Sequence, residues 1–315
     1  MMPPNTSELT SLQSLPCFTD IIEVTRFNKG LSHVCFKVTT TVGNYFAKQL
    51  RDETAVKEAS CSVYMANAGL SPDVVYHDKK WLITTFIEGL SVAEIDANLD
   101  EQLVIATSIM VRVHHVKSSS FVSANKFSLP CLTELDIAST INDLLTDSNS
   151  LEAQQRVLLQ DMGKVLASRI DHQKALLNTA LVFCHGDINY SNLLIDEQQS
   201  VWLIDFECVQ LAPREFDIAM YIAINNIPFE LIDHVISNYQ QYALENNINR
   251  PLVNLYISYS LLINALWYVK KIATLPVTAN SHYHILAKQQ AVAFDNFNLQ
   301  FTMQLAELLP KISAK

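Results

Sequence analysis

The chain has 315 residues, 49% hydrophobic and 17% charged, with 22 Lys and Arg against 32 Asp and Glu, a formal net charge of −10. That length suits a two-lobed globular enzyme, and the composition is that of a well-buried chain and not a disordered one. The acidic balance, without a basic run or face, argues against nucleic acid or an anionic membrane as partner; no uninterrupted apolar run reaches the ~18 residues of a spanning helix.

The opening MMPPNTSELT has neither the basic residues nor the apolar stretch of a secretory signal, so a cytoplasmic protein is expected. The six cysteines, Cys17, Cys35, Cys61, Cys131, Cys184 and Cys208, form no Cys-x-x-Cys pair. Free, mostly buried thiols are expected, with no zinc site and no disulfide framework.

In chain order, IIEVTRF, HVCFKVTT and NYFAKQL are β-branched or aromatic-rich and predict strands. Gly43 between the last two reads as a hairpin turn. VKEASCSVYMANA has helical periodicity, with Gly69 as its C-cap and Pro72 beyond it. WLITTFI is another short apolar run. After Gly89 the pattern turns helical: LDEQLVIATSIMVRVHHV, SLEAQQRVLLQDMGKVLASRIDHQKALLN and VNLYISYSLLINALWYVKKIA repeat apolar residues at three and four. Gly163 lies inside the second of these with no evident role. Two short strands, ALVFCH and VWLIDFE, fall between the second and third. A small sheet-rich lobe followed by a large helical lobe is predicted.

The segment LVFCHGDINYSNLLIDEQQSVWLIDFECVQLAPREFDIA carries the chemistry. A strand ends at Cys184, and His185-Gly186-Asp187 turns sharply with the backbone freedom of Gly186. Asn192 follows Asp187 by five positions, and the returning strand VWLID delivers Asp205 at its end. Two carboxylates and an amide are thus expected to converge at the mouth of a small hairpin. Hard oxygen ligands of this kind suit Mg²⁺. Phosphoryl transfer needs that set, a metal to neutralise developing charge and a carboxylate to orient the attacking hydroxyl.

HGDINYSNLL followed by LIDFE resembles the catalytic and metal-binding motifs of the aminoglycoside phosphotransferase and choline kinase superfamily. Glu207 of IDFE makes it more similar to the choline, ethanolamine and thiamine kinase group. The resemblance implies an α+β, bilobal protein-kinase-like fold. Residues 1–88 would form a nucleotide-binding lobe, a small antiparallel sheet plus a helix ending in the hinge, and residues 89–315 a mainly helical lobe with the catalytic and metal loops. It also implies an enzyme that uses ATP and Mg²⁺ to phosphorylate the hydroxyl of a small, cationic alcohol. Asp187 would be the catalytic base, Asn192 and Asp205 the magnesium ligands, and His185 a brace of the loop.

Lys48 would pair with the phosphates, fixed by Glu58 or by its neighbour Glu53. Gly30 and Ser32, in FNKGLSHVCFKV, resemble the abbreviated phosphate loop of choline and thiamine kinases. Backbone groups of Thr85 and Ile87 would hold the adenine. Glu207, Asp217, Tyr221, Trp267 and Tyr268 are expected nearest the acceptor. Cys208 stands where choline kinases tend to place a tyrosine, and Asn264 where they have a second tryptophan. FNKGLS, AGLSPDVVY and LLINALWYV also resemble thiamine kinase. An aminoglycoside or other small alcohol is the alternative acceptor, and a nucleotide-binding pseudokinase the alternative class.

Overall fold

Alternation along CFKVTT sends Phe36, Val38 and Thr40 inward and Cys35, Lys37 and Thr39 outward, the period of a half-buried strand. The computed structural model describes residues 4–27, 33–51, 53–116, 132–146, 151–177, 179–244, 247–274, 280–298 and 304–310. Within them the chain divides into two compact units, Met1–Thr133 with Asn189–Gln210, and Glu134–Ile188 with Leu211–Lys315. Residue 88, the expected end of the nucleotide-binding lobe, falls inside the first unit.

The first unit holds a five-stranded antiparallel sheet of β1 (Ile21–Arg26), β2 (Cys35–Thr40), β3 (Asn44–Gln49), β4 (Val74–His77) and β5 (Trp81–Thr85), in the order β1-β2-β3-β5-β4. Helix α1 (Thr6–Gln13), which the sequence reading missed, starts with an Asn5–Glu8 capping box. Its Leu12 packs with Leu15, Phe18, Phe36, Val38, Ala47, Trp81 and Ile83 into one core. A second cluster joins Ala55 and Ala59 of helix α2 (Ala55–Asn67) to Leu50 and Leu82. Lys48 pairs across the ladder with Leu82, so the alternation of β3 turns it toward the α2 side.

Helix α2 ends as expected: Gly69 has φ +66°, and Leu70 N–H donates to Met65 O while Gly69 N–H donates to Ala66 O, a Schellman cap. Helix α3 (Leu99–His114) opens on a capping box, Asn98 with Glu101.

A second small sheet in this unit orders β6 (Gly89–Ser91), β8 (Leu193–Asp196) and β9 (Val201–Leu203) as β6-β8-β9. Here the structure corrects the sequence reading. VWLID does not return along the strand that ends at Cys184; it pairs with LLID just upstream. A short connection closes at little entropic cost. Asp196 fixes it by accepting from the backbone of Gln198 and Ser200 and from Trp202 Nε1, with Gln199 left-handed at φ 64°.

In the second unit, β7 (Val182–Cys184) pairs instead with β10 (Gln210–Ala212). The rest is helical: α4 (Ile137–Thr146), α5 (Ala153–Leu177), α6 (Arg214–Ile224), α7 (Ile232–Ala243), α8 (Arg250–Thr274), α9 (Asn280–Phe297) and the short α10 (Leu305–Leu308). Helix α8 packs against α4, α5, α6 and α9. Its window Arg250–Ala273 is long and apolar enough by composition to cross a membrane, yet 67% of it is buried in protein, as in a central core helix. None of the five described cysteines is in a disulfide, and Cys131 lies outside the described residues.

Two glycines acquire reasons. A Cβ on Gly89 would lie 2.0 Å from the carbonyl oxygen of Ile195, a backbone atom that cannot yield without opening the β6–β8 pairing. A Cβ on Gly163 would meet the Ile141 side chain, Cδ1 at 2.9 Å and Cγ2 at 3.0 Å, methyl groups that can shift more readily than a backbone atom. Gly89→Ala should therefore cost about 1–3 kcal/mol in a denaturant titration. Gly163→Ala should cost clearly less, because its helix gains about 1 kcal/mol of propensity. Equal losses at the two positions would contradict this packing.

Candidate active site

The chemistry of the first unit centres on one buried ammonium. Lys48 Nζ pairs with Glu58 of α2 and lies 2.7 Å from Asp205 Oδ1. Lys48 and Glu58 are buried, and the Asp205 side chain is 27% exposed. Burial opposes the charge on Lys48, but Asp205 and Glu58 outweigh it and hold the pKa above its usual value. Burial also pushes the Glu58 carboxyl up to about 7 despite Lys48, with Asp205 and Glu207 adding to the rise. The Cys35 thiol, opposite Lys48 on β2, is pushed by burial up to about 12 and is a poor nucleophile. Of the two expected partners for Lys48, Glu58 is the one in contact.

Asp205 adopts a left-handed conformation, φ 71° and ψ 68°, which is strained for a residue with a Cβ and clusters at functional sites. It lies two residues beyond the end of β9 and opens the 3₁₀ turn Phe206–Cys208. Asn192 closes another 3₁₀ turn, Tyr190–Asn192, which Asn189 caps by accepting from Ser191 N and Asn192 N. Asn192 O accepts from Ile204 N at 3.1 Å, so the amide residue and the strained aspartate flank the adjoining ends of β8 and β9 in one unit. An amide oxygen and a carboxylate are hard donors of the type magnesium takes.

The second unit shapes the loop after Cys184. Gly186 has φ +77°, and the carboxylate of Asp217 accepts from His185 N at 2.8 Å and from Gly186 N at 2.7 Å. Asp187 N donates to His185 Nδ1 at 3.2 Å, and the His185 side chain is fully buried. Asn225 Nδ2 holds the Ile188 carbonyl. Burial, with Asp217 adding, holds the Cys184 thiol well above its usual value.

Two of the residues expected nearest the acceptor are buried. Asp217 is buried and accepts with its two oxygens from the backbone N–H groups of His185 and Gly186, so it positions the loop. Tyr221, on the same helix α6, is wholly buried.

Tyr268 lies near Asp187: burial, and then the Asp187 charge, push its hydroxyl up to about 12. Trp267 and Tyr268 meet edge to face at 5.3 Å, and Tyr283 of α9, missed in the sequence, stands 6.4 and 6.2 Å from them. The Trp267 ring carries Lys271 Nζ at 4.9 Å. Asn264 donates to Gln290 between α8 and α9.

In the first unit Glu207 faces His33, another residue missed in the sequence, at 3.4 Å. A lone histidine carries no signal by itself. Thr85 N–H is spent on the Asp73 carbonyl. Gly30 and Ser32 lie outside the described residues.

No curated protein matches the chain closely enough to count as a sequence relative. Solved structures do. The choline/ethanolamine kinase family protein of Mesorhizobium loti superposes with a TM-score of 0.68 at 17% identity, over 96% of this chain and 97% of its own. The choline kinase of Cryptosporidium parvum gives 0.67 at 16% identity, over 97% and 98%. A spectinomycin phosphotransferase gives 0.55 at 14% identity, over 98% of both chains. At these identities the likeness establishes the kinase-like α+β fold. The phosphotransferase enzyme family matches residues 23–253. With most of its length matched, the chain belongs to the phosphotransferase enzyme family.

Proposed function

We propose that the enzyme moves the γ-phosphate of ATP to the hydroxyl of a small, cationic alcohol of the choline, ethanolamine or thiamine kind. The observation that carries this reading is the buried Lys48, joined to Glu58 and to the strained Asp205. Phosphoryl transfer asks a protein chiefly for positioning and charge compensation, and a lysine anchored by a helix glutamate supplies both to the phosphates. The structures similar in fold include a spectinomycin phosphotransferase in complex with ADP, which supports a nucleotide as donor.

In this reading Asn192 and Asp205 hold magnesium, which when bound neutralises charge that develops on the transferred group. Asp187 orients the acceptor hydroxyl and takes its proton. Asp217 and His185 keep the Asp187 backbone in one geometry. Gly30 and Ser32 cover the phosphates, and the Thr85 carbonyl and Ile87 N–H receive the adenine. The face of Trp267 already carries Lys271, so Tyr268, close to the Asp187 charge, is the ring assigned to a cationic acceptor.

Coupled ADP release with ATP, Mg²⁺ and single acceptors (choline, ethanolamine, thiamine, homoserine and an aminoglycoside) tests the reaction. One acceptor should stimulate release strongly, and Asp187→Asn should lower that rate about 100- to 10,000-fold without changing the far-UV circular dichroism. Stimulation by the aminoglycoside alone would replace the cationic-alcohol assignment. Binding of ATP with no acceptor effect in any arm would make the chain a pseudokinase.

The buried pair yields a stability test. Lys48→Met strands two carboxylates beside an apolar side chain and should lower unfolding stability by about 3–5 kcal/mol. Adding Glu58→Gln should restore most of that loss, while ADP release stays abolished in both variants. A double variant no more stable than the single one would show that the pair is not coupled.

A further inference from the structure

His33, Glu58 and Glu207 bring one donor atom each into a group within 4.8 Å of one another, all inside the first unit. The His33 side chain is 4% exposed and that of Glu207 17%. Glu58 is fully buried; its Oε1 is taken by Lys48, and its Oε2 has no hydrogen-bond partner among the described residues. Buried carboxylate oxygens are ordinarily satisfied. A bound cation would satisfy this one.

His33 Nε2 and Glu207 Oε2 are 3.4 Å apart. That is long for a charge-assisted hydrogen bond, which runs at about 2.7–2.9 Å. It matches the edge of a coordination tetrahedron, since two donors about 2.1 Å from one ion lie ~3.4 Å apart at the tetrahedral angle. Charge points the same way. Glu58 and Asp205 already share the ammonium of Lys48, and Glu207 adds a further carboxylate charge that acts on Glu58.

We propose that His33 Nε2, Glu58 Oε2 and a Glu207 oxygen bind one divalent transition-metal ion, separate from the magnesium assigned to Asn192 and Asp205. An imidazole beside two carboxylates favours ions of the zinc or manganese class, whereas magnesium and calcium take oxygen sets. Three protein donors leave a position for water. The ion gives Glu58 its second partner and ties the start of β2, helix α2 and the 3₁₀ turn after Asp205 to one point. The site needs no nucleotide, so it stands or falls independently of the phosphate transfer proposed above.

The test uses the full chain, stripped with chelator and free of nucleotide and magnesium, titrated with Co²⁺ and followed by its visible ligand-field absorption. One equivalent should bind and be displaced by Zn²⁺, and Zn²⁺ should raise the thermal midpoint. His33→Ala and Glu207→Gln should weaken binding by more than the 10- to 100-fold that loss of an outer partner costs, about 100-fold or beyond. Asn192→Ala should leave it unchanged. His33→Gln, closer in size and polarity, should show the same loss, with circular dichroism confirming that each variant folds. Absorption that survives both His33 substitutions in folded protein and disappears in Asn192→Ala would place the ion on the magnesium pair and overturn the proposal. No Co²⁺ or Zn²⁺ binding by the folded wild-type chain would overturn it too, leaving a proton shared between Glu58 and Glu207 to satisfy Oε2.

Discussion

A single ammonium, buried and held by two carboxylates, is the constraint on which the first unit depends. Lys48 reaches Glu58 only because β3 turns it to the α2 side of the sheet, opposite the side that α1 covers. It reaches Asp205 only because the chain after β9 turns through a left-handed residue. A buried charge is costly unless paired, so strand, helix and 3₁₀ turn are each committed to one relative placement. That strain and that desolvation are expenses a purely structural ion pair would have no reason to carry. In the phosphate transfer proposed above they would have one, because a lysine fixed in advance loses little freedom when it meets a phosphate.

The second unit solves a related problem with backbone groups. A sharp turn after a strand leaves N–H groups pointing at buried space, and Asp217 accepts two of them in succession. Gly186 makes the turn possible, and His185 steadies the residue after it. The loop geometry is therefore written thirty residues downstream of the loop, on a different helix. Asp217 looked like an acceptor contact because an aspartate beside a metal motif invites that reading. What its two oxygens hold in the structure is the backbone of the loop.

Much of this was legible in the residues. Strand alternation, the Gly69 cap and the three long periodic helices could be placed from pattern alone, while Lys48 with either Glu58 or Glu53 rested on the family resemblance, and the contact falls to Glu58. What escaped depended on contacts distant in sequence. The pairing of VWLID with LLID, and not with the strand ending at Cys184, was hidden because all three are short apolar runs of one character. Gly163 had no reason until Ile141 was seen against it. His33 and Tyr283 carry no local signal, since a single ring gains meaning only from the groups that face it. Helix α1 was missed although its capping box is explicit in Asn5 and Glu8, because a short helix with a weak apolar face resembles an unstructured lead-in.

The most direct test of the central interaction is a crystal structure of the chain with magnesium and a non-hydrolysable ATP analogue. The account predicts that Lys48 keeps Glu58 and exchanges Asp205 for phosphate oxygens, while Asp205 turns with Asn192 to the metal. A nucleotide bound elsewhere, with Lys48 still on Asp205 and no metal at that pair, would contradict it.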